Sequence, residues 1–250
     1  MRCQKLGWVR GGLIALACAA GFESQVQAAV VIDNFSGAVS TSVAPASPNP
    51  SSSNLGLATA NAIGGARNLT ATRITGVNGM NINADVGSSG VFNYSTGPAD
   101  TGSASILYDG GTDNIPSFIG LVGTDLTQGG LNTLVNLLYR ADLAGATISV
   151  DIYTDATRAS RASFNTAATG FGANPFASVN LPYASFSPLV GTGATFSNVG
   201  MIQITVDGST TPALDLQIDS IQSIPEPAGI AVAGLCAGIL MRRRTVRHAD

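Results

Sequence analysis

The sequence predicts an all-β protein: an antiparallel β-sandwich, jelly-roll-like in its connections, with a targeting segment on either side. Two observations predict it. Short runs of alternating apolar and polar residues recur through the middle of the chain, each bounded by Gly, Asn, Ser or Pro. Period-two patterning also means that each run buries one face and wets the other, as antiparallel sheets do. Roughly ten such runs, separated by turn signals, call for a sandwich or barrel.

The elements follow in order. Val30, Val31 and Ile32 with Asp33, Asn34 and Phe35 open the domain. Residues 39–54 are rich in Ser, Pro, Ala and Asn and read as a long surface loop. Strands are expected at 68–74 and at 80–84, where Met80, Ile82 and Ala84 share one face. Residues 91–94 and 103–108 come next. Leu131, Leu134, Val135 and Leu138 sit at helical spacing, yet the 131–140 run also fits a buried strand. Strand is the expectation there. The 147–152 run alternates most cleanly, with Ile148, Val150 and Ile152 pointing one way. Residues 177–181, 201–206 (Ile202, Ile204 and Val206 on one face) and 214–218 complete the set. The domain ends at 221–224, directly before Pro225.

Arg2, Lys5 and Arg10 precede a small apolar stretch at 11–20, and Val26, Gln27 and Ala28 form the small-residue pattern of a signal-peptidase site. Cleavage is expected between Ala28 and Ala29. Residues 1–28 are thus expected to be a signal peptide handled by signal peptidase, and residues 29–224 one extracytoplasmic domain with its own core.

At the other end, Pro225, Glu226 and Pro227 mark a boundary that no helix crosses easily. The apolar run 228–241 is shorter than the roughly 20 residues that span a bilayer comfortably. Arg242, Arg243 and Arg244 open a basic stop at 242–247, suited to the cytoplasmic face. These three modules in sequence resemble the PEP-CTERM sorting signal of bacterial surface proteins, over residues 225–250. The resemblance implies a C-terminal membrane helix that anchors the protein at least transiently. It also implies an exosortase-like membrane protease as partner, cutting near Pro225, Glu226 and Pro227, and a final place at the cell surface or outside the cell. The terminal strands, at 31–35 and 216–221, are similar to those of sandwich domains upstream of such tails, which suggests that they lie side by side.

Composition excludes much chemistry. Residues 29–224 contain no Cys, His, Lys, Glu or Trp, so thiol nucleophiles, His-based triads, His or Cys zinc sites and Schiff-base lysines are impossible there. The same stretch carries five arginines against twelve aspartates, which argues against nucleic acid as a partner. Cys3, Cys18 and Cys236 all lie in the targeting segments, so the mature domain forms no internal disulfide. No motif singles out an aspartate pair, and the expectation is a noncatalytic surface or extracellular-matrix protein without a cofactor.

Two sites stand as candidates. Asp109 and Asp113 lie four apart in a glycine-rich loop and could offer oxygens to Ca²⁺, or could serve a polar turn. Asp151 and Asp155 around Tyr153 admit the same reading. An extracellular polysaccharide is the alternative ligand, since sandwich domains of this type commonly stack sugars on aromatics. Without Trp, a platform would have to use Tyr94, Tyr108, Tyr139, Tyr153 or Tyr183, whose scatter also fits strand packing.

Overall fold

Alternation becomes strand throughout the computed structural model, which describes residues 29–37, 39–43, 51–76, 80–85, 90–113, 115–171 and 175–226. The expected signal peptide, Ala28 included, and the tail from Pro227 onward, including Arg242, Arg243 and Arg244, lie outside the described residues. Among the described residues, no helix is long and apolar enough to cross a membrane.

Fourteen strands are described. They are β1 (Val30–Asp33), β2 (Val39–Val43), β3 (Ser51–Gly56), β4 (Ala66–Thr75), β5 (Met80–Asp85), β6 (Val91–Thr96) and β7 (Thr101–Tyr108). Then come β8 (Leu134–Ala141), β9 (Thr147–Asp155), β10 (Arg158–Asn165), β11 (Ala177–Pro182), β12 (Ser187–Val190), β13 (Met201–Asp207) and β14 (Asp215–Ile224). The first sheet runs β11-β8-β14-β6-β5-β2, with β1 also on β14; the second runs β12-β10-β9-β13-β7-β4-β3. All strand pairs are antiparallel, and the two sheets form a β-sandwich.

The inward faces meet in one core. From the first sheet come Phe92, Tyr94, Val135, Leu137, Tyr139, Leu216, Ile218 and Ile221; from the second, Leu69, Ile106, Ile148, Val150, Ile152, Ile202, Ile204 and Val206. These are the period-two positions of each run, which the burial of one sheet face against the other selects. The 131–140 run resolves as a strand beginning at Leu134. Val30 pairs with Ser223 and Val31 with Gln222, so the terminal strands do lie side by side.

Three segments depart from expectation. Residues 39–54 are not one long loop: 39–43 pair with β5 at an edge of the first sheet, and 51–56 pair with β4 at an edge of the second. Edge strands bury little, so polar Ser-rich sequence suffices once a partner supplies the hydrogen bonds. β10 and β12 were not expected either. In β10 the buried positions are Ala159, Ser160 and Ala162, which carry little hydrophobic signal, and β12 is a four-residue edge strand exposed along its whole length.

A buried ionic cluster pins the sheets together. Asp33, at the end of β1, accepts Arg67 Nε and the Tyr108 hydroxyl on Oδ2, both at 2.7 Å. Its Oδ1 accepts Arg67 Nη2 and the Phe35 amide. Arg67 also donates to the Gly37 carbonyl at 2.8 Å and lies over the Phe35 ring. All three side chains are fully buried. Burial depresses the Arg67 guanidinium, but the bonds and charge of Asp33 outweigh it and hold its pKa above the ordinary value. The same desolvation, with the Asp33 charge, pushes the Tyr108 phenol well up. Because Asp33 sits on the first sheet and Arg67 and Tyr108 on the second, the cluster fixes how the sheets register.

Candidate functional site

Side chains rejected by the core build the outer face of the first sheet. In β8, Val135, Leu137, Tyr139 and Ala141 point inward, which turns Asn136, Leu138 and Arg140 outward. In β14, Leu216, Ile218, Ile221 and Ser223 point inward and Gln217 and Gln222 outward, with a register shift between Ile218 and Ser220. In β6, Phe92 and Tyr94 point inward and Asn93 outward.

Strand register then aligns these polar groups. Gln217 stands opposite Arg140 on one side and Asn93 on the other. Arg140 Nε donates to Gln217 Oε1 at 2.6 Å, and Gln217 Nε2 donates to Asn93 Oδ1 at 2.5 Å. A second row places Asn136 opposite both Asn180 and Gln222, and Asn136 Nδ2 donates to Asn180 Oδ1 at 2.7 Å and Ser178 Oγ at 2.8 Å. The Arg140 guanidinium lies 4.6 Å from the Phe176 ring centroid and 5.3 Å from that of Phe171. Both distances are within cation–π range, so the rings help hold the guanidinium in place. Phe171 is partly open to solvent. Burial raises the Asp219 carboxyl at the strand irregularity, and the Arg140 charge opposes that rise.

The outer face of the second sheet differs. Register aligns Ser163, Ser149, Thr205, Ser105 and Thr70 across five strands. That is one hydroxyl per strand. The same face also carries Gln203 and the Asp151–Arg161 pair, whereas the first sheet's face sets its amides and guanidinium beside two rings.

The residues expected to form sites are placed elsewhere. Tyr94, Tyr108 and Tyr139 are buried in the core, Tyr183 stacks on Phe196 at 4.2 Å, and Tyr153 packs against Phe118. The tyrosines are strand packing, and no common platform forms from them. Asp109 is buried: its Oδ1 accepts the Gly111 amide and Asn68 Nδ2, and its Oδ2 accepts the Ser117 amide at 2.8 Å. Asp113 accepts the Ile115 amide. These carboxylates therefore organise the loop, and among the described residues no three His, Cys, Asp or Glu side chains converge as a metal site. Asp151 pairs with Arg161, and Asp155 with Arg158, whose bonds hold the Asp155 carboxyl down at about 2. Pro225 and Glu226 follow β14 directly, and the Glu226 amide donates to Thr133 Oγ1.

Sequence reasoning missed Asn93, Arg140, Phe171, Phe176 and Gln217. The outward phase of β8 was legible once 131–140 was read as a strand, and it would have drawn attention to Asn136 and Arg140. The convergence of Phe171 and Phe176 on Arg140 had no local signal.

No family model and no curated protein matches the chain. Among solved structures it is similar to the family 11 carbohydrate-binding module of the cellulosomal cellulase Lic26A-Cel5E of Clostridium thermocellum. The identity is 11%, the match covers 79% of this chain and 95% of that one, and the TM-score is 0.38. The solution structure of CtCBM11 matches at 10% identity, over 82% and 99% of the two chains, with a TM-score of 0.41. TmCBM61 in complex with β-1,4-galactotriose matches at 11% identity, over 62% and 82%, with a TM-score of 0.28. At this level of likeness no ligand and no residue role passes to this chain.

Proposed function

We propose that the domain is a noncatalytic glycan-binding module of the bacterial cell surface, jelly-roll-like in its connections, with its site on the outer face of the first sheet. One observation carries this reading: the ordered row Arg140–Gln217–Asn93, flanked by Phe171 and Phe176 on a solvent-facing sheet surface. Amides and a guanidinium offer donors and acceptors in fixed planes, which suits the paired hydroxyls of a sugar ring. An exposed phenyl ring offers a flat apolar surface to the sugar's C–H face. The site is formed before any ligand arrives, so little ordering entropy is lost on binding.

The aspartates support a noncatalytic role. Asp33, Asp109, Asp125, Asp151 and Asp155 are each engaged by arginines or by backbone amides of their own turns. In the same proposal, residues 1–28 export the chain through signal peptidase. Residues 225–250 hold it in the membrane until an exosortase-like protease releases it.

A glycan array spanning bacterial and plant polysaccharides tests the ligand. The protein is expected to bind at least one polysaccharide, and Arg140→Ala to weaken that binding about tenfold, equivalent to ~1.4 kcal/mol. Absence of binding at high protein concentration, or an Arg140→Ala variant that binds as well as the parent, would sink the reading.

A further inference from the structure

We propose that the end of the sandwich crossed by the 109–133 loop is a membrane-facing surface, which seats the domain on a lipid bilayer beside the apolar 228–241 segment. This rests on the reading of that segment as a membrane anchor.

The loop holds aliphatic side chains out to solvent. Ile115 is 72% exposed, Ile119 71% and Val122 90%, and Leu131 is exposed as well. Residues 109–133 contain no Lys or Arg, and Asp113 and Asp125 stand beside the aliphatic positions. Attachment is therefore apolar and suits uncharged headgroups better than anionic ones.

The loop is also tied down. Asp109 receives the Ser117 amide, Leu121 N donates to the Gly200 carbonyl at 2.9 Å, and Thr124 and Val199 exchange bonds at 2.9 Å. Leu121 and Leu126 turn into the core from the same segment. Ile119 and Val122 thus project from a braced scaffold, and Val122 does so at φ +54°, a backbone that β-branched residues rarely adopt. Polar residues would suit that position better, so the exposed valine needs a reason beyond folding.

Chain direction supplies the partner. The loop joins the end of β7 to the start of β8, and the end of β14 lies at the same end of the sandwich. Thr133 N donates to the Ile224 carbonyl at 3.1 Å, and the Glu226 amide donates to Thr133 Oγ1 at 3.1 Å. From Glu226 to Ala228 the chain can reach only about 7 Å, two residues fully extended. If 228–241 enters a bilayer, this end of the sandwich must lie against the headgroups. The exposed aliphatics are then the side chains positioned to enter it.

The test uses the full chain with Trp8→Phe, Cys3→Ser and Cys18→Ser, reconstituted into phosphatidylcholine vesicles with brominated acyl chains. A fluorophore on Cys236 reports insertion of the 228–241 segment. Ile119→Trp probes the loop, and Leu143→Trp, in the turn between β8 and β9 at the opposite end, is the control. We expect quenching at Cys236 and loss of about half the indole emission for Ile119→Trp, as for a side chain ~5–10 Å into the interface. The Leu143→Trp emission should not change. Adding Val122→Asn and Ile115→Ser, which suit an exposed loop and leave the core intact, should relieve most of the Ile119→Trp quenching.

A quenched Cys236 probe with Ile119→Trp no more quenched than Leu143→Trp would overturn the docking surface and leave the anchor standing. An unquenched Cys236 probe would overturn the anchor and this proposal with it. A blue-shifted Ile119→Trp in detergent, accompanied by a doubled mass, would assign the patch to a second copy of the chain and overturn the bilayer as its partner.

Discussion

Arg67 and Asp33 form a fully buried bidentate pair, so the loss of either partner strands a buried charge. Arg67→Ala should therefore destabilise the domain by about 3–5 kcal/mol, read from the urea unfolding midpoint. A shift no larger than that of an exposed variant such as Arg158→Ala would show that the cluster does not pin the sheets. Nothing local in the sequence singled out Arg67. It stands between Ala66 and Asn68 in an ordinary polar-apolar run, and its partners lie about thirty residues upstream and about forty downstream. The twelve aspartates were visible as a set, but a carboxylate that braces a turn and one that waits for a ligand look alike in sequence.

Among the elements, the 109–133 loop shows how close backbone approach fixes a shape. A Cβ on Gly120 would meet the Asp109 carbonyl oxygen at 1.6 Å, and one on Gly200 would meet the Phe118 carbonyl oxygen at 2.1 Å. Only the absence of a side chain lets the loop pack there. Gly120→Ala should cost about 2 kcal/mol or more and open the loop to limited proteolysis at 115–123. A variant with parental stability and an uncut loop would contradict this. The strong period-two runs, such as 147–152 and 201–206, were legible because both encode the core directly. β2, β3 and β12 were not, because short edge strands obtain their stability from the neighbouring strand, and β10 was not, because its buried positions are Ala and Ser.

For the whole molecule, the two targeting segments and the sandwich form one proposal about place. Intact-mass measurement of the protein from its native host tests it: we expect a mature species that begins at Ala29 and lacks the mass of the apolar run and its arginines. A species retaining Met241, Arg242, Arg243 and Arg244 would leave a plain anchor and remove the exosortase-like protease as partner.

The sequence by itself determined the fold class, the faces of the main strands and the exclusion of Cys, His, Lys and Glu chemistry from the domain. These depend on local periodicity and on composition, which need no knowledge of what packs where. Only the tertiary structure decided which strands neighbour which, and so brought Asn93, Arg140 and Gln217 into one row across three strands. It also placed the exposed aliphatics of the 115–122 segment at the end from which the chain leaves toward 228–241. Pairing across long sequence separations sets those positions, and a period of two residues carries no information about it.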